Sequence, residues 1–322
     1  MYNLIKKTVS LICIVILVCA LCAGSLADEA PKAQIIALKG PTAMGLVKLM
    51  KDSESDGSYG FTIAAAVDEV APLLIKGEAD IACVPANLAS VLYNNTEGQV
   101  QVLAVNTLGV LYIVEKGESV QSVADLKGRT IYASGKGATP EYALNFILSQ
   151  NGIDPEQDVT IEWKSEHAEC LTALMASEAG VALLPQPFVT TALMKAEGLR
   201  VALDLNAAWD ALGVDSTLIT GVAVARRDFA EAHADALNAF LDAYRASVEY
   251  VNANTDDAAK LVGEYEIVPE QVAAKALPAC NITFIEGAEM QAKLEGYLQV
   301  LLDANPKAVG GKLPEADFYY QR

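Results

Sequence analysis

Ile81-Ala82-Cys83-Val84-Pro85, followed by Leu88-Ala89-Ser90-Val91-Leu92, is the stretch that decides the fold. The same pattern returns about a hundred residues later. Val181-Ala182-Leu183-Leu184-Pro185 there leads into Phe188-Val189-Thr190-Thr191-Ala192-Leu193. In each copy a short apolar run reads as a buried strand that ends at proline, and a helical stretch begins a few residues later. A second matched unit lies upstream of each copy. Ile35-Ile36-Ala37-Leu38-Lys39-Gly40-Pro41-Thr42 precedes one helix, and Thr130-Ile131-Tyr132-Ala133-Ser134-Gly135-Lys136-Gly137 precedes another. Two α/β halves of like order can hold a ligand between them, because loops at the carboxyl ends of both sheets can face one cleft.

Outward from these units, 322 residues suffice for two lobes, each with its own core. A chain 52% hydrophobic and 20% charged is globular rather than disordered. The net charge of −18 argues against nucleic acid and anionic lipid as partners. Residues 1–27 read as an export signal: Lys6 and Lys7, an apolar run from Leu11 to Ala23, then Ser25-Leu26-Ala27 before Asp28. An extracytoplasmic location is therefore expected, periplasmic or at the cell surface. Cys19 and Cys22 follow the bulky Val18 and Leu21, where a lipidation site would have a small residue, which speaks against a lipid anchor. Cys83, Cys170 and Cys280 show neither metal-ligand spacing nor a disulfide framework, and read as buried hydrophobes.

The rest of the chain alternates. Strands are expected at Gln34–Leu38, Phe61–Ala65, Asp80–Val84, Val100–Asn106, Gly109–Val114, Thr130–Ala133, Val159–Trp163, Val181–Leu184, Arg200–Leu203 and Leu218–Ala225. Helices are expected between them, including Ala43–Lys51 and Pro140–Gln150, the latter with Thr139 as its N-cap. Everything after Asp228 reads as helix. Crossings between the halves near Asn106–Gly109 and Thr220–Gly221 imply a double-strand hinge. The lobes would be residues 28–107 with 221–322, and residues 108–220.

On these residues the chain resembles the solute-binding proteins of ABC transporters, in the branch of nitrate, taurine, alkanesulfonate and pyrimidine-precursor binders. The matching text includes Lys39-Gly40-Pro41-Thr42, Ile75-Lys76-Gly77-Glu78-Ala79-Asp80-Ile81-Ala82, and Leu184-Pro185-Gln186-Pro187-Phe188. Its most specific piece is Asp125-Leu126-Lys127-Gly128 within Ser122–Ile131. The resemblance implies an α/β chain of the type II periplasmic-binding-protein fold, with two lobes, a double-strand hinge and a helical C-terminal region. It also implies delivery of a small polar or anionic molecule to an ABC permease, by a monomer without cofactor or metal.

Helix N-termini expose unpaired N–H groups and a positive dipole end, so they suit anions. Gly40-Pro41-Thr42-Ala43 from the first lobe and Ser134-Gly135-Lys136-Gly137, with Thr139, from the second are the candidate ligand loops. Asn87 and Gln186 end equivalent strands as candidate amide contacts, and Asn106 sits at a crossing, with Thr107 and Thr220 near it. Trp163 and Trp209 read as core. A biosynthetic enzyme on the same fold is the competing class, with His167 and Cys170 one turn apart as its only nucleophilic pairing. No orienting acid accompanies them, so no catalytic residue is assigned. An extracellular ligand sensor is the third reading.

Overall fold

The computed structural model describes residues 32–322; the expected export signal, residues 1–27, and with it Cys19 and Cys22, lies outside them. In chain order the strands are β1 (Ala33–Leu38), β2 (Tyr59–Ala64), β3 (Ile81–Pro85), β4 (Val100–Leu108), β5 (Leu111–Lys116), β6 (Thr130–Ser134), β7 (Thr160–Lys164), β8 (Val181–Pro185), β9 (Leu199–Asp204), β10 (Ile219–Arg226) and β11 (Ile282–Ile285). They form two sheets, ordered β11-β4-β10-β3-β1-β2 and β7-β6-β8-β5-β9. The sheets repeat one plan. β1 lies parallel between β2 and β3, and β6 lies parallel between β7 and β8. Beyond β3 and β8 comes one antiparallel strand, β10 or β5, and then β4 or β9. The antiparallel strands are the ones that receive the chain from the other sheet.

Period-two alternation places each sheet between two apolar layers. In the first sheet Ile36, Val84 and Val102 face one cluster, and Ile35, Cys83 and Leu103 face the other. The first of these clusters does not stop at the lobe boundary. It continues through Met290, Leu294 and Tyr297 of the long helix Gly287–Ala304 into Ile113, Ile131 and Leu183 of the second sheet. Trp209, fully buried, stacks against Phe146 at 4.4 Å and Tyr297 at 5.9 Å within the same layer.

Several expectations are corrected. The helix read as Ala43–Lys51 is two helices, Pro41–Met44 and Val47–Asp56. Ser247 enters the gap: its hydroxyl donates to Gly45 O at 2.7 Å and accepts from Leu49 N at 3.1 Å, interrupting the helical ladder. The region after Asp228 is not all helix, because Ile282–Ile285 pairs with β4 as an edge strand. The segment after β9 carries an unforeseen helix, Leu205–Asp210, capped by Asp204, whose Oδ1 accepts from Asn206 N at 2.8 Å. Thr139 is the first helical residue and not the N-cap, which is Ala138. Thr220 and Gly221 lie inside β10, so the return crossing runs earlier, from Asp204 to Ile219. The outward crossing, Leu108 to Leu111, is held by Asn206 Oδ1 accepting from Gly109 N at 3.1 Å and Asn281 Nδ2 donating to Gly109 O at 2.5 Å.

Candidate ligand-binding site

The parallel strands β1, β2, β3 and β6, β7, β8 each run straight into a helix from their carboxyl ends. The N-cap residues are Gly40, Ala66, Pro85, Ala138, Glu166 and Pro187, and none makes a side-chain capping bond. A helix start without Ser, Thr, Asp or Asn forgoes about 1 kcal/mol and leaves first-turn N–H groups open. The N–H groups of Val67, Asp68, Thr139, His167 and Ala168 have no backbone acceptor among the described residues. At three of these starts a glutamate in the first turn instead reaches back outside the helix. Glu69 accepts from Ala65 N at 3.3 Å, Glu141 from Gly137 N at 2.6 Å, and Glu169 from Ser165 N at 2.9 Å. The carboxylate orders the entry loop while the N–H groups at the helix start stay unspent.

Gly40 has φ +130° and open space where a Cβ would stand, and Pro41 opens its helix. Thr42 is buried with its hydroxyl donating to Leu38 O at 2.7 Å, and Ala43 N bonds back to Gly40 O. Ser134 is buried at the end of β6. Gly135 (φ +85°) and Gly137 (φ +79°) adopt the left-handed region that glycine tolerates. Lys136 between them is exposed. Glu141 already occupies the Gly137 N–H, so the amides this loop leaves for a ligand lie elsewhere in it. Thr139 Oγ1 accepts from Tyr297 Oη at 3.3 Å. Gln186 turns inward, its Oε1 accepting from Thr190 Oγ1 at 2.9 Å, and the Gln186–Pro187 peptide is cis. Asn87 Nδ2 points to Ala308 O at 3.5 Å. Asn106 is 1% exposed, packed against Gly221 with Thr42 and holding Thr107 Oγ1 at 3.0 Å. Thr42, Asn106 and Gly221 are thus brought together under the first-lobe loop. Asn87 and Gln186 are drawn off to neighbouring backbone and side chain.

Sequence reasoning missed the side chain that best completes the second lobe. His167, the first residue of helix His167–Ala176, places Nδ1 2.6 Å from Ser134 Oγ, and its ring lies 5.6 Å from that of Phe188. Ser134, Gly135, Glu166, His167, Ala168 and Phe188 line a hollow of about 450 Å³. Burial lowers the His167 pKa from its ordinary value, so the ring is neutral near pH 7. The available signal was positional, since His167 follows β7 as Val67 follows β2.

The nucleophile pairing is not assembled. Cys170 is buried, with its thiol pKa raised by desolvation and its Sγ 3.5 Å from Glu166 O, whereas the His167 ring is bonded to Ser134. Cys83 and Cys280 are likewise free and buried, and burial pushes both thiols up to about 12. Among the described residues, three or more His, Cys, Asp or Glu are nowhere grouped to hold a metal, and no helix is long and apolar enough to cross a membrane.

Two sheets of one plan, joined by two crossings and presenting uncapped helix starts, define a two-lobed solute-binding architecture. Residues 54–267 match the family of ABC-transporter phosphonate periplasmic substrate-binding proteins, and the chain belongs to it. Such a protein takes up a small molecule outside the cytoplasm and serves an ABC permease. Among solved structures, an ABC transporter protein from Parabacteroides distasonis is 25% identical, with a TM-score of 0.74, over 90% of this chain and 99% of that one. The aliphatic sulphonate binding protein SsuA of Escherichia coli is 19% identical, with a TM-score of 0.71, over 91% and 93% of the two chains. The alkanesulfonate-binding SsuA from Xanthomonas axonopodis, solved with MOPS bound, is 16% identical, with a TM-score of 0.62, over 89% and 96%. The last two share the fold. Among curated proteins no sequence matches this chain.

Proposed function

We propose that the protein captures a small organic oxyanion, a phosphonate or sulfonate, with its head on the second lobe and its substituent against the first. The observation that carries this reading is the set of uncapped helix starts at Ala138 and Glu166, with the neutral His167 ring of the second held to Ser134 at the end of β6. Backbone N–H groups and one imidazole can hydrogen-bond several oxygens of a tetrahedral head without a fixed cation. When Ser134 donates to Nδ1, the Nε2–H is left to donate to the ligand. The first lobe offers Pro41 and the exposed Val67, which suit an apolar substituent. The ligand touches both lobes, which part at the Leu108–Leu111 and Asp204–Ile219 crossings, and closes them by its differential affinity. The protein acts as a monomer and binds without turnover; the buried Cys170 thiol lies against Glu166 O, and the family is one of substrate-binding proteins.

Calorimetry with ethanesulfonate, ethylphosphonate and nitrate tests the reading. Binding of at least one of the two organic anions, more tightly than nitrate and with the compound recovered unchanged, is the expected result. Binding of neither, or a chemical conversion lost on changing His167 or Cys170, overturns it.

A further inference from the structure

The glycine loop of the second lobe is gripped at both faces of one peptide-bearing residue. Gly137 N donates to Glu141 Oε2 at 2.6 Å, and Gly137 O accepts from Tyr142 Oη at 3.1 Å. The same Tyr142 hydroxyl accepts from Asn305 Nδ2 at 3.0 Å. Asn305 ends the long helix Gly287–Ala304 and caps the turn that follows, its Oδ1 accepting from Lys307 N at 3.1 Å. That turn lies flat on the first-lobe helix Ala86–Asn95. Ser90 Oγ and Asn94 Nδ2 both donate to Val309 O at 2.8 Å, and Asn87 Nδ2 reaches Ala308 O. Gly310 approaches so closely that a Cβ there would stand 3.1 Å from Val91 Cα.

We infer that Tyr142 is a positioning residue for ligand binding, tying the second-lobe glycine loop through Asn305 to the first-lobe helix behind Pro85. The inference rests on the oxyanion-capture reading above. A tyrosine hydroxyl is one donor and one acceptor here, and both are spent on protein, so Tyr142 shapes the site without touching the ligand. The loop has only small side chains apart from Lys136, and packing alone cannot fix its carbonyl. The hydrogen bond from a buried ring does. The continuous apolar layer around Leu294 and Tyr297 holds that ring in place, so one end of the cleft has a fixed span.

Tyr142→Phe keeps the buried ring and removes the hydroxyl. Amide hydrogen exchange in the intact protein at Gly137 and Ala138 should quicken about fivefold, the effect of losing one neutral hydrogen bond. Strand β6 and helix Gly287–Ala304 should be unchanged. Asn305→Ala should quicken the same amides, and the two substitutions together should do no more than Tyr142→Phe alone. Whichever of ethanesulfonate and ethylphosphonate binds the unaltered protein should bind the variant several-fold more weakly. Unchanged exchange at Gly137 and Ala138, or fully additive effects, would overturn the inference. If neither probe binds the unaltered protein, the capture reading falls, while the exchange result still decides the role of Tyr142.

Discussion

Ala65–Glu69 and Ser165–Glu169 occupy the same place in the two lobes, each leading from an edge strand into a helix. Their backbones use the same device, a first-turn glutamate folded back on the loop N–H at 3.3 Å in one and 2.9 Å in the other. Their side chains part company. The first helical residue is Val67, 39% exposed, in one lobe and His167, hydrogen-bonded to Ser134, in the other. The repeat thus supplies matched backbone donors. On the proposed reading the substituted side chains divide the labour, with polar recognition in the second lobe and apolar contact in the first.

The largest effect that this asymmetry predicts is at Gly135. Its φ is +85°, and a Cβ would stand 2.9 Å from Pro140 Cγ, so Gly135→Val displaces the loop and the helix start together. Affinity for the organic anion should fall about a hundredfold or more, on the order of 3 kcal/mol, read by calorimetry on a variant shown to be folded by circular dichroism. Comparable affinity would place the head group away from the second lobe.

His167→Ala should cost about tenfold, and it also removes a pH dependence whose sign differs between free and bound protein. Burial lowers the folded pKa of His167 below the unfolded value, so its contribution to stability is complete above about pH 6.5 and is lost as pH falls towards the folded pKa. A bound anion favours the imidazolium, so affinity should rise over the same interval. Ethanesulfonate keeps one charge throughout and isolates the effect. Titrations at pH 7.5 and 5.5 should show tighter binding at the lower pH, and the His167 variant should show none of that gain.

Val67→Ala tests the other side of the comparison. Removing part of an apolar contact should weaken a longer alkanesulfonate two- to fivefold and leave methanesulfonate unchanged. Equal losses for both would mean that Val67 supports the loop and not the substituent. Thr42→Ala is the smallest. Its hydroxyl is committed to Leu38 O, so thermal stability should drop by about 1 kcal/mol while affinity stays within twofold.

The repeat explains why so much of the fold was legible. Ile81–Pro85 and Val181–Pro185 are short apolar strands closed by proline, and order and spacing did the rest. β11 was not legible, because four residues after Asn281 carry no period and become a strand only by pairing with β4. Nor was the break at Gly45, which depends on a serine some two hundred residues away. The site was legible as loops rather than as side chains. Glycine spacing identified Gly135 and Gly137, yet whether an amide is free depends on which carboxylate folds back on it, as Glu141 does on Gly137. In sequence His167 stands out only beside Cys170, since its bond to Ser134 spans 33 positions.

On the proposed reading the anion sits on the second-lobe helix starts. Amide chemical shifts of the nitrogen-15-labelled protein, titrated with ethylphosphonate and ethanesulfonate, test it most directly. The largest shifts are expected at Lys136, Thr139, His167 and Ala168, with smaller ones at Val67 and Asp68. Shifts concentrated in the first lobe, with His167 and Ala168 unmoved, would contradict it.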